Sequence, residues 1–266
     1  METATGAMFE AARVKNPMKV AKLRKNYQGV PVFNLRVLLT CGFAALMGFG
    51  LVRESFCQDA TSRPGRETVM PSDIYPDSGS RLPPIKREDL DEQGKRQYDA
   101  LVGRTGGRSL AGLRGPGGLN LYSPKAAQHL SGLSNYLRYE SGLSGRVREI
   151  AILVTAREMD NQFEWTAHEP NALKEGVPPE VIEVIKGRKT TKTLAATDAT
   201  IIQLGRQVFG EKKVASDVFA RARNIFGDRG LVELVLLMGS YSSIAALLTT
   251  FDVQLDPGQK PLLPPR

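Results

Sequence analysis

Apolar residues recur at three- and four-residue intervals from about residue 85 to 255, and no stretch alternates with period two for more than a few residues. This pattern predicts an all-α domain of about seven helices. Leu90, Tyr98 and Leu101 share one face of a first, polar-faced helix expected over Arg87 to Val102. Ser123 and Pro124 then form a helix start, a capping residue followed by a proline at the first helical position. The helix after them carries Ala127, Leu130, Leu133 and Leu137 on one face, with His129, Tyr136 and Tyr139 as polar-tipped neighbours. His129 reads as a surface histidine.

The stretch Arg146 to Gly176, RVREIAILVTAREMDNQFEWTAHEPNALKEG, follows a turn marked by Gly142 and Ser144. Its apolar block Ile150 to Ala156 reads as a buried helix. A second helix then places Glu164, Trp165 and His168 close together, ending at Gly176. Pro178 and Pro179 open a short helix, PEVIEVIKG, and TDATIIQLGRQVFG and VASDVFARARNIFG follow. The last helix, in GLVELVLLMGSYSSIAALLTTFDV, is apolar almost all round, so it is expected to be buried or shared with a partner. Its Gly239, Ser240, Ser242, Ser243 and Glu233 suit a packed helix better than a membrane span. The tail DPGQKPLLPPR, residues 256–266, is proline-rich and expected to be extended.

Two regions break the helical pattern. GRTGGRSLAGLRGPGG reads as a surface or pocket-rim loop, because it lacks both the GK[ST] ending and the preceding apolar strand of a phosphate cradle. Residues 58–84 are rich in Pro, Ser, Asp, Thr and Gly and are expected to be a linker.

The amino-terminal 57 residues change the picture again. The sixteen uncharged residues between Arg36 and Arg53, VLLTCGFAALMGFGLV, follow seven basic residues. A membrane span needs about 20 apolar residues, so the stretch reads as a signal-peptide core with cleavage after Cys57. An uncleaved anchor over residues 37–52 is the alternative, and Met18 would give a more usual leader than Met1. Either form sends the rest of the chain out of the cytoplasm, with membrane contact only through this segment. Cys41 and Cys57 are the only cysteines, so a cleaved protein would have none.

The net charge of +8 would suggest a nucleic-acid partner if it were spread over the domain. Residues 1–57 hold eight Lys/Arg against three Asp/Glu, leaving 28 against 25 for the rest. That surface is ordinary, and no nucleic-acid-binding motif accompanies it, so no nucleic acid is expected.

The candidate chemistry lies in the central stretch. Residues four apart share a helical face, so Glu164 can meet His168. A carboxylate beside a histidine holds its tautomer and raises its basicity, as an acid/base site needs. Glu149, inside the apolar run, must be paired or protonated if buried, with His168 or an arginine as its partner. By spacing alone, a structural contact that stitches two helices is the first reading of these residues, with a catalytic role as the alternative. Trp165 reads as core or interface, with a substrate platform as the alternative.

The segment RVREIAILVTAREMDNQFEWTAHEPNALKEGVPPEVIEVI resembles the carboxymuconolactone decarboxylase family, which also contains the alkylhydroperoxidase AhpD. The flanking NYLRYESGLSGRVRE and the last helix resemble the same family, so the likeness spans about residues 85 to 255. AhpD-like members place Cys, Cys and His twelve, fifteen and nineteen residues after a glutamate. From Glu149 those offsets land on Asn161, Glu164 and His168. Glutamate and histidine are kept, both cysteines are gone, and a thiol peroxidase cycle has no nucleophile. The resemblance therefore implies a decarboxylase-like enzyme that needs no metal or organic cofactor. His168 would be its proton donor, oriented by Glu149 or Glu164. Arg146 or Arg148 would seat the anion of a small acid or lactone, with Tyr136, Tyr139, Asn161 and Trp165 around it. Family members assemble as trimers or hexamers, so a homo-oligomer is expected.

Overall fold

The computed structural model describes residues 70–105 and 112–264, all within one compact unit that begins at Gly65. The apolar stretch 37–52, both cysteines, the cleavage site and the linker up to residue 69 lie outside the described residues. Among the described residues, eight α-helices run in the order α1 (Glu92–Thr105), α2 (Pro116–Asn120), α3 (Pro124–Tyr139), α4 (Gly145–Glu158), α5 (Gln162–Lys174), α6 (Pro179–Lys186), α7 (Ala196–Arg206) and α8 (Ser216–Thr250). A 3-10 turn at Arg87–Asp89 precedes α1, and a π turn at Gln207–Glu211 extends α7. Among the described residues the β structure is one isolated bridge, Tyr75 to Ser80. The fold is all-α.

The bundle is built around α4. Its nine consecutive residues Glu149 to Arg157 are all buried, because α5, α6, α7 and α8 pack around it. Ile150, Ile152, Leu153 and Val154 have no exposed surface, and each such side chain stabilises the fold by about 1.5–3 kcal/mol. The approach of α7 is closest at Gly205, where a Cβ would stand 2.6 Å from Val154 Cγ1. At the start of α4 the Ser144 hydroxyl accepts from the Val147 N–H, capping the helix.

Four differences from the sequence reading have physical causes. The first helix begins at Glu92 rather than Arg87, because Leu90 leaves the short 3-10 turn in an extended conformation. The glycine-rich loop closes in the short helix α2, which buries Leu119. The two carboxy-terminal helical segments run together as α8, broken at Gly227, whose φ of 68° and ψ of 176° lie outside helical space and suit only glycine. Residues 70–84, read as linker, form a packed turn. Ile74, Ser78 and Ser80 are buried, and the Arg81 N–H donates to the Phe251 carbonyl at the end of α8.

By length and composition α8 could cross a membrane. In this fold it packs on α3, α4 and α7, with Glu233 and Tyr241 among its buried residues. Part of its surface stays open: Val232 is 59% and Leu236 46% exposed.

Candidate functional site

The turn from α4 to α5 fixes the site. The chain leaves α4 through Asp160 at φ 47°, and the Asn161 N–H donates back to the Ala156 carbonyl at 2.8 Å. Asn161 then caps α5: its side-chain oxygen accepts from the Glu164 N–H at 2.9 Å. Its amide nitrogen donates to the Ala245 carbonyl of α8 at 3.2 Å. One buried residue, through its backbone N–H and its side chain, thus ties three helices at the point where α5 begins.

With the turn so held, α5 lies along α4 and His168 meets Glu149. Their Nδ1 and Oε2 atoms are 2.8 Å apart. Glu164, one turn before His168 on α5, places Oε2 3.6 Å from Nε2. Tyr241 of α8 presents its ring edge-on to the imidazole, with centroids 5.1 Å apart and planes at 86°. Glu149, Glu164, His168 and Tyr241 are all buried. Burial pushes the Glu164 carboxyl above its ordinary value, against the pull of the His168 and Arg138 charges, while Glu149 raises it further. Burial likewise raises the Tyr241 phenol, which therefore keeps its proton at neutral pH.

In the tautomer that donates Nδ1–H to Glu149, Nε2 carries the lone pair and faces Glu164, whose protonated form is favoured by burial. The two carboxylates lie against opposite ring nitrogens, so no single metal ion could bind the ring and both carboxylates. Among the described residues, no group of three or more His, Cys, Asp or Glu is arranged to hold a metal ion.

The other candidates are placed differently. Arg146 binds Asp198 through two parallel bonds of 2.6 Å, and Arg148 donates to the Leu143 carbonyl at 2.7 Å. Tyr136 donates to Glu233 Oε1 at 2.5 Å and accepts from Arg229 at 2.8 Å, joining α3 to α8. Tyr139 is 68% exposed, with the Arg138 guanidinium over its ring. Trp165 is fully buried; its indole N–H donates to Glu169, and Lys186 lies over its ring. None of these five residues hydrogen-bonds to the Glu149–His168–Glu164 side chains, and Asn161 reaches the group only through the Glu164 backbone N–H. His129 is exposed.

Two residues enter the site without having been singled out in the sequence. Tyr241 is a polar-tipped ring in a helix of apolar and small residues, which is itself a hint that it faces something polar. Arg138, half-buried on α3, is the cation whose charge reaches both Glu164 and Tyr241. The cavities described in the monomer lie elsewhere. One of about 580 Å³ opens between α1, α2 and α3, and one of about 570 Å³ between the start of α5 and the carboxy-terminal segment. Neither includes Glu149, Glu164 or His168.

Comparison with curated proteins returns no match. Among protein-family models, that of the carboxymuconolactone decarboxylase family matches residues 124–200, from the first residue of α3 into α7 and across Glu149, Glu164 and His168. Through this segment the chain is similar to the carboxymuconolactone decarboxylase family.

Proposed function

We propose that Glu149, His168 and Glu164 form a cofactor-independent acid/base site that moves a proton on a small organic acid or lactone, with decarboxylation as the reaction class. The observation that carries this reading is the histidine held between two buried carboxylates, at 2.8 Å on one ring nitrogen and 3.6 Å from the other. In the reaction the bond to the substrate carboxylate breaks and CO2 leaves. The electron pair is delocalised into the adjoining carbonyl system, and the carbon takes a proton from the site. Glu164 first protonates Nε2, Glu149 stabilises the imidazolium so formed, and His168 delivers that proton to the carbon, leaving Glu164 ionised until it regains a proton from solvent. Arg146 and Arg148 are already engaged, so the cation that would favour an entering carboxylate is Arg138.

The test is CO2 release from a panel of small lactone and keto acids by the full-length protein. Wild type should release CO2 from at least one acid, and His168→Ala should abolish that release. Equal activity in the variant would remove His168 from the chemistry. The position of the described cavities away from His168 favours a second reading, a non-catalytic binding module, which the same panel would support by silence in both proteins. The peroxidase reading is disfavoured because Asn161 and Glu164 stand where the resemblance places the cysteine pair.

The protein is further proposed to act as a homo-oligomer. Val232 and Leu236, one turn apart on the exposed side of α8, offer a second copy an apolar stripe of the kind that association covers.

A further inference from the structure

The carboxy-terminal segment, expected only to be extended, is bound. After α8 the chain turns at Pro257 and Gly258, where Gly258 has φ 84° and the Gln259 N–H closes the turn on the Asp256 carbonyl at 2.9 Å. Residues 259–262 then run without regular secondary structure to the corner where α4 passes into α5. There Leu263 inserts into the main core with 5% of its surface exposed, while Leu262 remains 37% exposed.

The backbone of this segment is read by side chains. In Pro261-Leu262-Leu263-Pro264 the prolines have no N–H, so Leu262 and Leu263 carry the only two backbone donors. Both go to one residue. With the Gln162 amide assigned the orientation that satisfies its neighbours, its oxygen accepts from the Leu262 and Leu263 N–H groups at 2.8 and 3.0 Å, and its nitrogen donates to the Leu263 carbonyl at 2.6 Å. The Thr166 hydroxyl, one turn along α5, lies 3.4 Å from the Leu262 nitrogen, and Arg157 donates to the Pro264 carbonyl at 3.4 Å. An amide clamp on the backbone beside a slot for one apolar side chain is how extended peptides are recognised.

We propose that the α4–α5 corner is a binding site for an extended Pro-Leu-Leu-Pro segment, and that its occupant is this chain's own residues 261–264, a tethered and exchangeable ligand. Its occupancy holds the first two turns of α5, since Gln162 and Thr166 flank Glu164 and precede His168.

The test uses the full-length chain carrying Leu263→Asp, which ejects the tail by burying a charge without a partner. A fluorescent peptide of residues 259–266, QKPLLPPR, is titrated into this variant and into wild type. Saturable binding to the variant, with wild type refusing the peptide, is the expected result. Adding Gln162→Ala should weaken binding by about tenfold or more, from the loss of the amide clamp. A variant with native helical content that ignores the peptide overturns the proposal, as does wild type binding the peptide equally well. Should Leu263→Asp not fold, amide exchange in wild type decides. The Leu262 and Leu263 amides should exchange by a local opening, faster than those of Ile152 and Val154; exchange at the rate of those core amides would make the tail an integral part of the core and overturn the proposal.

Discussion

Glu164 is a carboxyl whose buried setting opposes its charge. Its carboxyl is raised above the ordinary 4.5, chiefly by burial. A carboxyl raised in the folded state favours folding in its protonated form. Its contribution is therefore full below the unfolded value and falls as pH rises through the folded one. Glu164→Gln, which mimics the protonated form, is expected to be more stable than wild type at pH 7, with the difference closing toward about pH 4. Denaturant titrations at the two pH values check this; an equal loss of stability at both would mean that Glu164 is held ionised. Asn161 makes a second prediction at this scale. Asn161→Ala removes a helix cap and the bond to Ala245, and should cost about 2 kcal/mol in urea unfolding. Much of the site was legible in the residues: Glu164 and His168 by their spacing of four, and Glu149 as a carboxylate in an apolar run that needed a partner. Tyr241 was not, because its contact with His168 depends on how α8 packs, which local pattern does not encode.

Between helices, the same limit explains the arginines. Arg146 lies beside the site in sequence, and only the fold reveals that α7 supplies Asp198, 2% exposed, to take its guanidinium. The pair is an interhelical staple. Arg146→Ala leaves that carboxylate buried and unpaired and should destabilise the protein by about 3 kcal/mol. The double variant with Asp198→Asn should recover part of the loss, and failure to recover would assign Arg146 another partner. The contact at Gly205 is legible neither from periodicity nor from charge. Gly205→Ala is expected to force α7 off α4 at a cost of about 1–3 kcal/mol, relieved when Val154→Ala is added. Thermal melts of the single and double variants measure both cases. By contrast α4 itself was readable from its run of apolar residues, because a helix that is apolar on every side has only the centre of a bundle to occupy.

For the whole molecule, the all-α class followed from periodicity alone, whereas the order of the segments flanking the domain did not. Residues 70–84 look like linker by composition, yet Arg81 is held against the end of α8, Ile74 is buried, and the tail finds a specific seat through Gln162. Low apolar content marks a segment that cannot form its own core, and leaves open whether another core accepts it. The exposed stripe on α8 belongs to this scale as well. Val232→Glu is expected to shift sedimentation toward smaller species, if a second copy covers that surface, while leaving helical content unchanged. An unchanged sedimentation profile would move the interface elsewhere.

The central claim is that Glu149 fixes His168 with its proton on Nδ1, leaving Nε2 to exchange a proton with Glu164. The nitrogen chemical shifts of His168 in the full-length protein, recorded at a pH where the ring is neutral, read this directly. The expected result is the Nδ1–H tautomer, lost when Glu149→Gln removes the carboxylate. A neutral His168 protonated on Nε2 in wild type would contradict the relay.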